Sequence, residues 1–521
     1  MQGPAAVAWK LAQDAKCTEE QIDAVALVAL SLQKRFDSRG DKTTHVLPVS
    51  TPCGNHRAVM LGGGGVGKTH TLSKVIEPMA VTYFGEDGYL GKAQSNHAAQ
   101  NLGPRGRTIH SANGLLMSDS MQTARLRLSP QAQKKLDPLA GTAGVDVIDE
   151  VGAVPGPLLH ADALRTTYGR ALKSDLDPTK YMQPQETWGR MPAKILCGDF
   201  YQLQPVPASS SLLAPVKNQS YEHLQGRKLL ADMEYVVDFV DMQRFKDPLL
   251  LEVLIAMRTP GGKIISEDSW QALVKTQIKS TSVAAQPAGT SNSEAETPQY
   301  DQRLRAARGW YESAYEWRIV SYAMHTQAKL DAHDAGQVLF YVPAVDRPAS
   351  SLSKEEFDEM RGEPNICATG RMPGLLPLFL GMEMVLQESL LPPRYVRGTP
   401  CKVVGFEPHE FEPPLEGRES IASDGVVLLH YMPKCVYVKI EGSDELFLKA
   451  APGIARNASQ PAGSDLRGVL AITPQARPWK FKPAAGGPAI PVSRTQLPLL
   501  PRKQCTLHGV QGKTADPGFI V

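Results

Sequence analysis

The sequence predicts an α/β protein with a parallel sheet in its first half and a small β-barrel in its second. Two observations predict it. Between Ala58 and Val240, short β-branched runs ("AVML", "AVTYF", "VDVID", "AKILC", "YVVDFV") alternate with helical or loop segments, the pattern of strands joined by crossovers. Between about 400 and 450, closely spaced runs ("CKVVGF", "GVVLLHY", "CVYVKI", "ELFLK") suit a small β-barrel.

The elements follow in order. After Thr18, "EEQIDAVALVALSLQKRF" places Ile22, Val25, Leu27, Ala29, Leu30 and Leu32 on a broad apolar face, so residues 1–40 read as a helical N-terminal segment. Residues 41–270 form the first α/β domain and close with "DPLLLEVLIAMRTPGG". There Asp247 caps a helix, Pro248 occupies its first position and Pro-Gly-Gly stops it. Residues 271–300, rich in Ser, Thr, Ala and Pro, read as a linker or surface insertion. Residues 301–521 form a second domain, where "VLFYV" and "MEMVL" resume strand character and a β-insertion spans about 390–490. Residues 473–491, rich in Pro and Gly, read as a loop.

Composition narrows the class. With 521 residues, 42% hydrophobic and 21% charged, the chain reads as a soluble globular protein of several domains. A formal net charge of +2 means that nucleic acid would be held by a local basic channel and not by bulk charge. Seven cysteines without a CxxC pair suit a reducing, intracellular compartment and argue against both a disulfide framework and a zinc site. No run has the length and apolarity of a membrane span, and twelve scattered histidines lack transition-metal spacing.

The chemistry begins at "AVMLGGGGVGKTHTL". Gly62, Gly67, Lys68 and Thr69 occupy the fixed places of G-x-x-x-x-G-K-[ST], between an apolar strand and a helix carrying Leu72, Val75, Ile76 and Met79. The backbone of Gly62, Gly63, Gly64, Gly65, Val66, Gly67, Lys68, Thr69 and His70 is therefore expected to wrap the phosphates of ATP at a helix N-terminus. Lys68 would reach the β- and γ-phosphates, and the Thr69 hydroxyl would ligate Mg2+. Downstream, "VDVIDE" ends an apolar strand in Asp149, a second metal-holding group, and Glu150, a candidate general base for the attacking water. "KILCGDFYQLQPV" runs another strand into Asp199 and Gln202, and a glutamine there can sense the γ-phosphate or orient water.

These three segments in this order resemble the RecD/Pif family of superfamily 1 DNA helicases. Further segments extend the resemblance. "TEEQIDAV" is similar to the family's adenine-reading motif, making Gln21 the candidate adenine contact. "RTIHSANGL" is similar to the motif that contacts single-stranded DNA, which implicates Thr108, His110 and Ser111. "MQRFKDPLLLEVLIAMR" matches an arginine motif through Arg244, Asp247, Leu254 and Arg258, so that Arg244 is implied as a γ-phosphate contact. "TLHGVQGKT" resembles the coupling motif of a second domain and adds Thr506 and His508 as DNA contacts.

The resemblance implies tandem RecA-like domains with an SH3-like β-insertion, ATP and Mg2+ as cofactors, and single-stranded DNA and duplex junctions as partners. It also implies a monomer that moves five-prime to three-prime in DNA repair, recombination or telomere maintenance, in the nucleus or mitochondrion of a eukaryote. The chain stops at "ADPGFIV", before the family's serine-arginine motif, so truncation and impaired turnover are expected. The alternative reading is thus an ATP- and nucleic-acid-binding protein that turns over poorly.

Overall fold

The computed structural model describes residues 2–38, 56–115 without 104, 134, 136, 139–173, and 188–276 without 206, 217, 218, 246, 260 and 261. It also describes residues 317–390, 395–415, 426–449 and 466–502 without 485. The chain divides into two compact units, Met1–Gly289 and Thr290–Val521.

The first unit is built on a six-stranded parallel sheet in the order β3-β2-β4-β5-β1-β6. Its strands are β1 (His56–Gly62), β2 (Tyr89–Ala93), β3 (Arg107–Thr108), β4 (Val145–Asp149), β5 (Ala193–Gly198) and β6 (Tyr235–Phe239). Four of these are the expected runs. The fifth, "AVTYF", is helical: it closes α4 (Glu77–Phe84), where Met79, Ala80, Tyr83 and Phe84 bury one face at helical spacing. Local β-propensity there yields to helical burial, and the strand lies instead at β2.

Because strand side chains alternate, the sheet buries both faces. Val145, Val147, Ile195 and Cys197 pack with α1 (Pro4–Asp14), α2 (Glu19–Asp37) and α4. Ile148 and Leu196 face the helix Gly156–Lys173, with Leu158, Leu159 and Trp188. On α2 the buried face is Ala24, Val25, Val28, Ala29 and Leu32, whereas Leu30, expected on that face, is 54% exposed. Asp247 caps the helix Pro248–Arg258 as its spacing predicts, accepting from the Leu249 and Leu250 amides at 2.9 and 3.4 Å.

The second unit is largely antiparallel among the described residues. A five-stranded sheet runs β14 (Val469–Ile472), β13 (Cys435–Ile440), β11 (Pro400–Glu407), β10 (Glu383–Leu386) and β17 (Leu499–Pro501). Its described pairings leave the ends of this order unjoined, so the expected barrel is an open sheet among the described residues. A second sheet, β12 (Val426–Leu428), β7 (Leu339–Pro343) and β9 (Leu375–Leu378), contains the unit's parallel pair, β7 with β12. The third places β16 (Ile490–Gln496) between β15 (Gln475–Phe481) and β8 (Val345–Pro348).

Two expectations are corrected here. Residues 473–491 are a loop only in part: they contain β15 and the start of β16, whose Trp479, Phe481 and Val492 build a small core. "ELFLK" supplies only a single bridge, Leu446 to Arg467, and Leu446 is 68% exposed.

Candidate functional site

The carboxyl ends of parallel strands gather the candidate site, as in other open α/β sheets. The loop after β1 turns with φ +94° at Gly65 and +91° at Gly67, conformations that favour glycine. At Gly62 a Cβ would lie 2.5 Å from the Phe239 carbonyl oxygen, so the loop and the end of β6 touch through bare backbone. Lys68 Nζ donates to the carbonyls of Gly62 and Gly63 at 2.7 and 2.9 Å, which holds the ammonium over the loop. His70 Nε2 lies 3.0 Å from the Ala15 carbonyl oxygen and ties the loop's far side to the end of α1.

Gln21, the expected adenine contact, is 2% exposed and packs on this loop. Its Nε2 donates to the Val66 carbonyl at 3.0 Å, and its Oε1 accepts from the Thr18 amide at 3.1 Å. A Cβ at Gly67 would sit 2.3 Å from that Nε2. The glutamine therefore fixes the loop's shape, and one N–H and one lone pair of its amide remain.

At the end of β4, Asp149 is buried, and its Oδ1 accepts from the Glu150 amide at 2.9 Å. Burial raises the Asp149 carboxyl. The Glu150 amide, Lys68, and the Cys197 and Thr69 side chains bonded to it oppose that rise. The Thr69 hydroxyl and the Asp149 carboxylate are thus in contact, and paired oxygen donors of this kind fit Mg2+. Glu150 has φ +54° and ψ +45°, a left-handed conformation uncommon for a residue with a side chain. Its carboxyl is pushed up to about 7 by burial, then by the charges of Asp149 and Asp199, against the opposing pull of Lys68.

After β5, Asp199 is 2% exposed and accepts from Nη1 and Nη2 of the Arg258 guanidinium, at 2.5 and 3.1 Å, and from the Tyr201 amide at 2.9 Å. The same guanidinium lies 5.0 Å over the Tyr201 ring. The loop's open side faces two of these groups: a Cβ at Gly63 would first meet Arg258 Nη1, at 3.5 Å, and one at Gly64 would meet Gln202 Nε2, at 4.0 Å. Opposite, the Gln243 and Arg244 amides donate to the Gly65 carbonyl, each at 3.0 Å, so the backbone of Arg244 borders the loop.

The candidate DNA turn lies on the same edge of the sheet. Thr108 caps α6 (Ile109–Ala112) and accepts from the Ser111 amide at 3.1 Å. In register, Ala93 of β2 pairs with Thr108 on one side and Asp149 on the other. Thr108 and Asp149 are therefore two strands, or about 10 Å, apart. Ser111 is exposed, whereas Thr108 and His110 are half-buried. Thr506 and His508 lie outside the described residues.

Sequence reasoning missed the Arg258–Asp199 pairing, because the spacing that identifies Arg258 does not say which strand end it meets. It also missed a buried group of charges beneath the site. Lys92 of β2, Asp146 of β4, Lys194 of β5 and Asp162 of the helix Gly156–Lys173 form four ion pairs of 2.5–3.0 Å, all at most 1% exposed. A charged residue inside each of the strand segments "YLGKA" (Lys92), "VDVID" (Asp146) and "AKILC" (Lys194) was the available signal.

No protein-family description and no curated protein matches the chain. Among solved structures, the chain is similar to the Pif1 helicase from Candida albicans, at 16% identity over 96% of this chain and 87% of that one, with a TM-score of 0.48. Bacteroides Pif1 bound to ssDNA is similar at 16% identity over 88% and 80%, with a TM-score of 0.45. Pif1 helicase from Bacteroides in complex with ADP-AlF3 and ssDNA is similar at 16% identity over 90% and 83%, with a TM-score of 0.46. At this identity and TM-score the likeness assigns no chemistry, which falls to the residues just described.

Proposed function

We propose that this chain is an ATP-dependent DNA helicase of the RecD/Pif type, which moves on single-stranded DNA and opens duplex at the expense of ATP. The observation that carries the reading is the convergence of six chain segments at one sheet edge: the Gly62–Thr69 loop, Asp149–Glu150, Asp199 with Gln202, Arg244, Arg258 and, two strands away, the Thr108 turn.

In this reading the loop amides and Lys68 hold the β- and γ-phosphates, and Gln21, which shapes the loop from beneath, is the adenine contact by family resemblance. Thr69 and Asp149 would hold Mg2+, which neutralises phosphate charge when bound. Glu150 takes the proton of the attacking water, and a carboxyl at about 7 is well matched to that task near neutral pH. Gln202 orients the water or senses the γ-phosphate, and Arg244 and Arg258 stabilise charge developing there. Thr108, His110 and Ser111 grip the DNA backbone, with Thr506 and His508 as partners from the C-terminal segment. Contacts to phosphates and stacked bases make binding sequence-tolerant and salt-sensitive. By family resemblance, movement is five-prime to three-prime and serves repair, recombination or telomere maintenance.

The test is ATP turnover by the full chain, with and without single-stranded DNA, beside Lys68→Ala. Turnover that rises with DNA and disappears in the variant supports a motor. Nucleotide binding without turnover refutes it.

A further inference from the structure

We infer that Asn113 is a positioning residue that fastens the DNA-contacting turn to the strand bearing Asp149, acting through the buried Lys92–Asp146–Lys194–Asp162 square. This inference rests on the proposed function. Four observations carry it.

First, Asn113 follows α6 directly. Its amide donates to the Ile109 carbonyl at 3.1 Å, and the side chain is 1% exposed. The residue therefore moves with Thr108–Ser111. Second, its Nδ2 donates to Asp162 Oδ1 at 2.8 Å, while its Oδ1, buried, has no hydrogen-bond partner among the described residues. Only the donor half of the amide is used. A buried polar atom left unmatched is unfavourable, so what the amide contributes here is its bond to Asp162.

Third, Asp162 is the hub of the square. Oδ1 also accepts from Lys92 Nζ at 2.5 Å, and Oδ2 accepts from Lys194 Nζ at 3.0 Å and from Trp188 Nε1 at 3.3 Å. Lys92 and Lys194 then share Asp146, at 2.7 and 3.0 Å. Burial would raise the Asp162 carboxyl, but Lys194 and Lys92, with the bond from Asn113, hold it well below the usual carboxylate range. Two cations and two anions balance while buried from bulk solvent, so one missing bond is felt by the rest.

Fourth, the square lies directly behind both sites. Lys92 precedes Ala93, the residue between Thr108 and Asp149 in register, and Asp146 stands three residues before Asp149 on β4, on the opposite face of the sheet. The square thus locks β2, β4 and β5 to the helix Gly156–Lys173, and Asn113 adds the DNA turn to that block. A turn held this way meets DNA already ordered, and its displacement is transmitted to the strand of Asp149.

The experiment uses the full chain and a dT oligonucleotide. ATP turnover is followed against oligonucleotide concentration for wild type, Asn113→Ala and Asn113→Asp. Loss of a buried bond to a charged group predicts that half-saturating DNA rises about tenfold in Asn113→Ala. DNA-free turnover and the KM for ATP should stay within twofold. Asn113→Asp keeps shape but removes the donor and sets a second carboxylate against Asp162, so it should be at least as damaging at pH 8. It should recover as the pH is lowered to 6, where its carboxyl regains a proton to donate.

A packing role predicts the opposite order, with the isosteric variant harmless. That result, or unchanged half-saturation in both variants, overturns the inference. Should either variant fail to fold, hydrogen exchange in wild type decides: dT binding must slow exchange in both residues 107–115 and 158–166, and protection confined to the first overturns it. If wild type turns over ATP but ignores DNA, the proposed function falls and this inference falls with it.

Discussion

Gly152 offers the sharpest test of how the site is assembled. It sits in the turn Val151–Ala153, two residues after Glu150, against the segment that leaves β5. A Cβ there would lie 2.2 Å from the Asp199 carbonyl oxygen and 3.0 Å from its carbon. Separations under 3.0 Å do not occur for real Cβ atoms, and the obstacle is backbone, so in Gly152→Ala the two segments must part by about 1 Å. The contact is reciprocal, because a Cβ at Gly198 would meet the Val151 amide nitrogen at 2.6 Å. Overpacking of this kind costs about 1–3 kcal/mol, which for a large unit lowers Tm by roughly 2–10 °C.

The parting segments carry Glu150 on one side and Asp199 with Gln202 on the other. A displacement near 1 Å at catalytic groups costs on the order of a hundredfold. The loop of Lys68 is not touched, so kcat for ATP should fall by roughly that factor while KM changes little. The assay is steady-state ATP turnover at saturating DNA, beside a thermal melt. A kcat within twofold of wild type, at unchanged Tm, refutes the close packing of β4 and β5 ends on which the site depends.

Three further outcomes are expected. Because the Glu150 carboxyl is pushed up to about 7, turnover should climb roughly tenfold between pH 6 and pH 8. Its folded value lies above its unfolded one, so the stability linked to it is present below about 4.5 and is lost as pH rises through about 7. Glu150→Gln should therefore abolish turnover yet raise Tm at pH 8 and not at pH 4; equal melting shifts at both would show that the carboxyl is not perturbed. Arg258→Ala leaves Asp199 buried without its guanidinium and should cost about 1–3 kcal/mol in a urea melt, less than a fully buried pair because Arg258 is 34% exposed. Arg258→Lys should not restore it, since one ammonium cannot replace two parallel bonds. Lys194→Met leaves the buried square with excess negative charge and should lower stability by about 3–5 kcal/mol at pH 7. In wild type the contribution of Asp162, whose carboxyl is held low, is present above the ordinary carboxylate range and disappears as pH falls towards its folded value; a urea midpoint for Lys194→Met equal to wild type at pH 7 would refute the square's role.

Much of the first unit was legible because its signals are local. The loop at Gly62–Thr69 needs glycines at fixed offsets, and four strands announced themselves as β-branched runs bounded by turns. Asp247 and Pro248 marked a helix start from chemistry confined to one turn. Where local signals conflicted with burial, burial won: "AVTYF" has strand propensity, but its neighbours Met79 and Ala80 complete a helical face. The hairpin of β15 and β16 was hidden by prolines and glycines that read as loop, and Trp479, Phe481 and Val492 reveal its core only once the strands pair.

The sequence by itself determined which groups could meet phosphate, metal and DNA, because those demands fix residue types at short spacing. The tertiary structure decided who stands beside whom: Arg258 on Asp199, Gln21 on Val66, Asn113 on Asp162, partners 59, 45 and 49 positions apart in sequence. Such pairs are chosen by strand order and register, which bring distant segments within one hydrogen bond, and no local spacing encodes that choice.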